Sequence, residues 1–454
     1  MTIKESIETS SPVVDGASEW PSPTLAWYTV FVLFLAYTFS YVDRVILTIL
    51  VEPIQRDLGI NDSQIALLHG LAFVIFYVGL GVVLGYAADR KNRKCIIVIS
   101  IITWSLMTAF CGLAKSFGQL FVARAGVGIG EAGLSPAGYS LLGDYFPPHK
   151  RGLALGVYTA AIVFGGGVAL IIGGLVVQAV SANPTINIPI IGATRSWQAV
   201  FFIVGLPGIL VGLLAMTLKE PVRRTGESVV TSKHPRVPFL VQFKRHKSSY
   251  LLHILGFSML SVPFNVTLLW GRPFLSRTMG LTPSQGAYTL GLIMMIFCTA
   301  GILSGSALSD RLLKKGHIDA TVRVGLIAAI GLVVPLALFP FMTTITPACI
   351  VLAMILYFGS FAFGAAPAAL QFITQNENRA VMTSLYLLGV SFIGLTAGPT
   401  LTGVFTDYVF KDKELIGYSA AIVSISAALL AATAFFFLLP RFRKAANQES
   451  RSLD

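Results

Sequence analysis

Twelve apolar runs, each long enough to cross a lipid bilayer as a helix, dominate the sequence. A membrane-spanning helix needs about 20 mostly apolar residues. Only 12% of the residues are charged, whereas a soluble domain usually has about 25%, so lipid must solvate most of the surface. The runs lie at residues 25–50, 64–88, 95–114, 117–145, 152–178, 197–218, 249–275, 285–309, 321–342, 346–373, 380–405 and 416–440.

A polar stretch at 219–248 divides the runs into two sets of six. The pattern predicts an all-α integral membrane protein with twelve transmembrane helices in two six-helix bundles, 25–218 and 249–440. The stretch between the bundles is then a basic linker, and residues 1–24 and 441–454 are polar tails.

Lys and Arg residues concentrate on one side of the predicted membrane. The loops after the even-numbered runs, the linker and the C-terminal tail hold most of the 33, and cytoplasmic loops carry such an excess. We therefore expect both termini in the cytoplasm, in a bacterial inner membrane or a plasma membrane. This topology accounts for the net charge of +12 without nucleic-acid binding. The four cysteines are scattered without CxxC spacing, so we expect no metal site and no cofactor.

One loop motif occurs twice, about half a chain apart, which indicates duplication of a six-helix unit. The first copy follows the second run and contains Gly85, Asp89, Arg90, Arg93 and Lys94. The second copy follows the eighth run and contains Gly305, Asp310 and Arg311. The first copy resembles the loop motif Gly-x-x-x-Asp-Arg/Lys-x-x-Arg-Arg/Lys of the major facilitator superfamily.

Other motifs extend this resemblance. The fourth run contains Arg124, Gly128 and Gly130, which match the superfamily pattern Arg-x-x-x-Gly-x-Gly, and the loop after it contains Asp144 and Arg151. The segments Tyr41-Val-Asp43-Arg44 and Gly130-Glu131-Ala132 look like the Spinster family, whose members are associated with sphingosine-1-phosphate and lysophospholipids. The resemblance implies a secondary transporter that works by alternating access.

The loop motifs imply a gate at the cytoplasmic face. In the family fold, the position of Asp89 caps the cytoplasmic end of the eleventh helix, here near 379–383. Gating roles therefore fall to Gly85, Asp89, Arg90, Arg93, Asp144, Arg151, Asp310 and Arg311. The alternative is that the basic residues of these loops only set the orientation of the chain in the membrane.

Four charged residues lie within the predicted spans, where charges are costly and usually line a cavity or a relay. Helical rise places Asp43, Arg44 and Arg124 roughly 7–9 Å outside the midplane and Glu131 close to it. We expect Asp43 to pair with Arg124 and Glu131 to be less well neutralised. A carboxyl in a low-dielectric site binds a proton readily, so Glu131 and Asp43 are the candidate proton-coupling residues. The alternative is a static network that joins the first and fourth helices.

In the family, helices one, four, seven and ten line the cavity. The candidate substrate-binding residues on these helices are Tyr41, Arg44, Arg124, Asn265, Trp270 and Gln371. Trp and Arg residues are also ordinary anchors at a membrane interface, so packing or anchoring is the alternative. The basic linker is either a short helix on anionic lipid or a solvated connection.

The predicted substrate is an amphipathic lipid with an anionic head, such as a lysophospholipid or sphingosine-1-phosphate, because arginine binds phosphate and carboxylate bidentately. Protons are the expected coupling ion, and we expect a monomer whose partners are the substrate and membrane lipid. A small organic anion or a drug-like compound is the alternative substrate. A membrane enzyme is not favoured, because the sequence contains no HExxH, GxSxG or paired-His motif.

Overall fold

The computed structural model describes residues 20–88, 90–181, 185–188, 192–223, 238–375 and 378–451. In the first half of the chain the helices are α1 Pro23–Ile49, α2 Val51–Leu58, α3 Asp62–His69, α4 Leu71–Ala88, α5 Arg93–Cys111, α6 Phe117–Glu131, α7 Leu134–Tyr145, α8 Pro148–Ser181 and α9 Ser196–Ala215. A short antiparallel hairpin of β1 Thr185–Ile188 and β2 Gly192–Arg195 precedes α9 and was not predicted from the sequence.

The second half of the chain is also helical. Its helices are α10 Phe239–Arg245, α11 Lys247–Met279, α12 Pro283–Ile293, α13 Thr299–Lys314, α14 Ala320–Leu338, α15 Ile345–Ser360, α16 Ala365–Ile373, α17 Arg379–Gly389, α18 Gly398–Val404 and α19 Ile416–Arg451. Among the described residues, π-helical segments at Met294–Cys298, Val390–Ala397 and Phe405–Phe410 interrupt the helical runs, and short 3₁₀ turns lie at Phe339–Phe341 and Lys413–Leu415.

Among the described residues, eleven helices are long and apolar enough to cross a membrane. These correspond to eleven of the predicted runs. The exception is the run 117–145, which contains α6 and α7, of 15 and 12 residues. The helix is interrupted at Ala132-Gly133, where a side chain on Gly133 would lie 2.4 Å from Ser100 Oγ.

Large apolar side chains on the outside of the helices show where lipid lies. Phe31, Ile99, Leu210, Leu303 and Phe436 are all more than half exposed and come from different helices. A soluble monomer rarely exposes so many large apolar side chains. The buried apolar residues form one core that runs through both halves of the chain.

Each half packs mainly within itself. In the first half α1 packs on α8, and α5 packs on α6 and α9. In the second half α19 packs on α11 and α14. The halves meet where α8 packs on α12 and where α3 packs on α18. One end of the molecule carries α10 and the last residues of α19. We call this the linker end, and the opposite end, with α2, α3 and Phe405–Leu415, the closed end.

Candidate functional site

The two halves are bonded to each other at the closed end. Arg277 of α11 donates to both carboxylate oxygens of Asp62, at 2.7 and 2.8 Å. Gln55 of α2 donates to the same carboxylate at 2.6 Å. Because the Asp62 side chain is fully buried, this fork-shaped contact is shielded from water, where a charge-assisted bond is strongest.

A second arginine of α11 enters the first half nearby. Arg272 is buried, donates from Nε to the Thr48 carbonyl at 2.8 Å and pairs with Glu52. Burial disfavours the Glu52 carboxylate, but Arg272 and then Arg277 outweigh that effect and hold the pKa of Glu52 below its usual value of 4.5. The closed end therefore depends on Glu52 being ionised.

Asp407 forms a third contact, with the N-terminus of α3. Its carboxylate accepts from the Ser63 amide at 2.7 Å, from the Ser63 hydroxyl at 2.7 Å and from the Asp62 amide at 3.3 Å. The first amides of a helix have no partner within the helix and carry partial positive charge. An acid of the second half thus completes the cap of a helix in the first half.

Close backbone contacts seal the same end. A side chain on Gly70, between α3 and α4, would lie 2.8 Å from the Thr396 Cα. A side chain on Gly403 would lie 2.9 Å from the carbonyl carbon of Asp62. Gly167 of α8 and Gly291 of α12 likewise allow their helices to approach closely. Small residues at such contacts let helix backbones pack directly in a membrane protein.

Further side-chain hydrogen bonds join the two halves at the closed end. They are the bonds of Asn61 to Tyr408, of Tyr288 to Gln178, of Arg277 to Gln55 and of Lys413 to Gln55. The described conformation therefore has a bonded contact between the halves at the closed end.

The charged residues predicted within the membrane lie together between α1 and α6. Glu131 is 1% exposed, and its Oε2 accepts from Ser40 Oγ and from Arg44 Nε, each at 2.5 Å. The other carboxylate oxygen, Oε1, is buried without a hydrogen-bond partner. Arg44 and Glu131 thus form an ion pair in which half of the carboxylate remains unsatisfied.

The second pair of charges is arranged differently from the prediction. Arg124 donates to the backbone carbonyl of Asp43 at 2.9 Å, while Asp43 Oδ1 is buried without a partner. The predicted Asp43–Arg124 ion pair was therefore wrong, and Glu131 is better neutralised than expected. Helical rise gave the depth of each Cα, but the long Arg44 side chain spans the roughly 7 Å down to Glu131.

Aromatic rings surround the Arg44 guanidinium. Its central carbon lies 5.1 Å from the ring centre of Tyr41, 4.6 Å from that of Phe73 and 4.8 Å from that of Tyr77. The guanidinium can therefore gain cation–π stabilisation while it holds Glu131. Arg44 keeps 17% of its side chain exposed, so it is the accessible member of the pair.

The aromatic surface continues along the first half. Tyr37 stacks on Tyr158 with ring centres 5.0 Å apart, and Tyr139 contacts the edge of Tyr158 at 5.2 Å. Tyr41 contacts Tyr37 at 5.8 Å. Rings from α1, α7 and α8 thus lie beside the Arg44–Glu131 pair and offer apolar faces with polar edges.

The candidates in the second half lie elsewhere. Asn265 is partly buried and donates to the Ser261 carbonyl of its own helix at 2.9 Å. Trp270 is buried, and its indole N–H donates to the Pro399 carbonyl at 3.0 Å. This position favours a packing role for Trp270. The side chain of Gln371 is outside the described part of the structure.

Among the candidate gating residues, Arg93 contacts several segments of the first half. It is buried, pairs with Asp144, donates to Glu220 Oε1 at 2.6 Å and donates to the Ser140 carbonyl at 3.0 Å. It therefore joins the start of α5 to the end of α7 and to the segment after α9. Glu220 was not among the predicted residues.

The other gating candidates are more exposed or lie outside the described residues. A side chain on Gly85 would make an ordinary contact with Pro136, and Arg90 lies over the Tyr86 ring at 3.5 Å. Asp310 and Arg311 are exposed, and Asp310 lines a cavity of about 420 Å³ that Arg379 also lines. Asp89 and the side chain of Arg151 lie outside the described residues.

Sequence reasoning missed several residues of the site. The closed-end acids Glu52, Asp62 and Asp407 and the Arg44 neighbours Phe73 and Tyr77 were not singled out. Glu52 and Asp62 lie in or beside short connections opposite arginines of the other half, and this complementarity was a usable signal. Asp407 lies opposite the N-terminus of α3, which carries no such signal in the sequence. The aromatic residues had none, because such rings are common in apolar runs.

Comparison with known proteins places the chain in a family. A family model described as Major Facilitator Superfamily matches residues 33–386. The chain is 26% identical to an MFS-type efflux pump of Mycolicibacterium smegmatis, over 94% of this chain and 96% of that protein. It is 25% identical to the sphingosine-1-phosphate transporter SPNS2 of Mus musculus, over 90% of this chain and 77% of that protein.

A solved structure shares the fold over nearly the whole chain. It is the crystal structure of a bacterial homologue of the human lysosomal transporter Spinster, in an inward-facing and unoccupied conformation. The TM-score is 0.80 at 25% sequence identity, and the match covers 94% of this chain and 99% of that one.

Proposed function

Because the chain belongs to the Major Facilitator Superfamily and is most like the Spinster family within it, we propose that this multi-pass membrane transporter moves an amphipathic anionic lipid in exchange or together with protons. The observation that carries the proposal is the position of Arg44, held between the Glu131 carboxylate and a group of aromatic rings. The same guanidinium can hold either the carboxylate or an anionic head group.

The chemistry of Arg44 fits a phosphate or a carboxylate. A guanidinium binds these groups with two parallel hydrogen bonds. The rings of Tyr41, Tyr37 and Tyr139 continue away from it and can contact an apolar chain. A lysophospholipid or sphingosine-1-phosphate combines both features in one molecule, and the sphingosine-1-phosphate transporter among the relatives supports this substrate class.

Proton coupling follows from competition for Arg44. With both acids ionised, Asp43 and Glu131 balance Arg44 and Arg124, and the site has no net charge. A proton on Glu131 removes the negative charge that pairs with Arg44, so the site is left with one net positive charge. An anionic head group then binds to Arg44. Loss of the proton restores the Arg44–Glu131 ion pair and weakens the binding of the substrate. Asp43, whose Oδ1 is unpartnered, is a second proton acceptor in this scheme.

The architecture supplies alternating access. We propose that α6 and α7 together form the fourth crossing, which gives twelve helices in two bundles, 25–218 and 249–440. In this proposal the linker end faces the cytoplasm, as the Lys and Arg distribution predicts, and the working unit is a monomer. The closed end then opens when the loop residues Arg90, Arg93, Asp144 and Asp310 and their neighbours close the linker end.

Reconstituted flux tests the proposal. Proteoliposomes with the purified protein should move labelled lysophospholipid or sphingosine-1-phosphate faster when a pH gradient is imposed. Glu131→Gln should transport without that pH dependence, because its side chain cannot release a proton. Glu414→Gln, at an exposed acid of the closed end, is the matched control and should behave as wild type. Full pH dependence in Glu131→Gln would refute the coupling role.

A small organic anion or drug-like compound is the second candidate substrate. The near full-length match to an MFS-type efflux pump favours it. The same vesicles distinguish the two candidates. If the substrate is a lipid, an unlabelled long-chain lysolipid should inhibit its transport by competition. Export of small compounds without such competition would favour the second candidate.

A further inference from the structure

The short helix α10, just before the first span of the second half, has two different faces. Gln242 and His246 are buried, and Phe239 and Phe243 are partly buried, so the positions i, i+3, i+4 and i+7 face the protein. The opposite face carries Leu240, which is 67% exposed, and Val241, which is 50% exposed. The exposed cations Lys244, Arg245 and Lys247 follow them.

The inner face of α10 is firmly attached. Asn378, the residue before α17, donates to Gln242 Oε1 at 2.7 Å in a buried bond. His246 Nε2 lies 3.0 Å from Glu449 Oε1 near the end of α19. Phe243 stacks on Tyr250 with ring centres 5.7 Å apart. The exposed face is therefore held in a fixed orientation, unlike that of a solvated connection.

The helix that follows α10 is long and apolar enough to cross a membrane. This candidate span, Lys247–Met279, begins directly after α10, so α10 lies beside the end of a span, where lipid head groups are expected. On the following helix, Leu251 and Leu255 are 47% and 39% exposed, which marks the lipid-facing side. Apolar residues with basic neighbours at this depth are typical of a helix lying in the interface.

We propose that the outer face of α10, with Lys247, is a docking surface for the head groups of anionic phospholipids in the leaflet at the linker end. Leu240 and Val241 enter the acyl boundary, and the three cations bind phosphates. Charge complementarity selects the occupant, because a run of exposed cations at head-group depth attracts anionic lipid and has no such attraction for zwitterionic lipid. This surface is separate from the Arg44–Glu131 site.

Lipid retention and thermal stability test this docking surface in the purified full chain. The protein is placed in detergent micelles containing either dioleoylphosphatidylglycerol or dioleoylphosphatidylcholine. Bound lipids are counted by native mass spectrometry, and the melting temperature is measured in parallel. Wild type should retain phosphatidylglycerol preferentially and be stabilised by it. High salt should weaken the preference, because these cations are exposed.

The test variant is Lys244→Gln/Arg245→Gln/Lys247→Gln, which should weaken phosphatidylglycerol binding on the order of a hundred-fold. The control removes the exposed cations Lys314, Lys315 and Lys444 of the same end and should keep the preference. A charge-retaining variant, Lys244→Arg/Arg245→Lys/Lys247→Arg, should also keep the preference for phosphatidylglycerol. It shows whether substitution at these three positions by itself disturbs folding. Equal loss in test and control variants, an unchanged preference in the test variant, or no preference in wild type would each overturn the proposal.

Discussion

Replacing Asp407 with asparagine should open the closed end in a measurable fraction of molecules. The carboxylate accepts three hydrogen bonds at the N-terminus of α3, from the two Ser63 groups and the Asp62 amide. Asparagine keeps the shape and one acceptor but loses the charge. A hydrogen bond to a charged group contributes about 1.5–3 kcal/mol, compared with about 0.5–1.5 for a neutral one, and an acid at a helix N-terminus adds about 0.3–1.

The net loss is therefore about 1–2 kcal/mol, which shifts the equilibrium between closed and open ends by about 5–30-fold. Distances between spin labels measure this shift. The four native cysteines are first replaced by alanine, and labels are placed at the exposed residues Arg56 and Thr278, which lie in opposite halves. Asp407→Asn should add a longer-distance population to the distribution.

The matched control is Asp412→Asn. Its carboxylate accepts from the Glu414 amide of its own half, so the distances should not change. The double variant Asp407→Asn/Ser63→Ala should show less than the sum of the two single effects, because both remove the same contact. A distribution in Asp407→Asn identical to that of the parent would refute the argument that this cap holds the halves together.

Three further predictions concern the same framework. Gly70→Val places its Cβ 2.8 Å from the Thr396 Cα, so it should disfavour the closed end by about 1–3 kcal/mol, and an unchanged label distance would contradict this. Because the pKa of Glu52 is lowered, its contribution to the stability of the closed end is complete above about pH 4.5 and is lost as the pH falls through the lowered pKa. The closed end should therefore open in acid. In Glu52→Gln the open fraction should not show that pH dependence. Arg93→Ala should lower the free energy of unfolding by about 2–3 kcal/mol, which is less than for a fully buried ion pair because the acidic partners of Arg93 stay partly hydrated. An unchanged melting temperature would contradict the role of Arg93 in joining these segments.

Much of the helical order could be predicted because solvation by lipid leaves few alternatives. Apolar runs must form helices whose backbone groups bond internally, and eleven of the predicted runs are single spans among the described residues. The break at Ala132-Gly133 was missed although the sequence carried a signal for it, because Pro136 cannot donate a hydrogen bond to the Ala132 carbonyl four residues earlier. The π-helical segments depend on contacts between helices, which no local pattern encodes.

The candidate site was predicted in composition but not in pairing. Helical depth placed Arg44, Arg124 and Asp43 at one level and Glu131 deeper, and the structure does bring the four residues together between α1 and α6. Depth alone gave the wrong ion pair, because the flexible side chain of Arg44 reaches Glu131, which lies deeper than the Arg44 backbone. The closed-end bonds, such as Arg277 to Asp62, join residues far apart in the chain, so they became visible only once the two halves were packed.

Proton uptake on substrate binding tests the central claim most directly, because it asks whether Glu131 and an anionic head group compete for Arg44. Titration calorimetry of the purified protein with lysophospholipid, in two buffers of different ionisation enthalpy at one pH, gives the number of protons bound per substrate. The account predicts an uptake approaching one proton in wild type and none in Glu131→Gln, which should still bind. Binding without proton uptake in wild type, or the same uptake in both proteins, would contradict it.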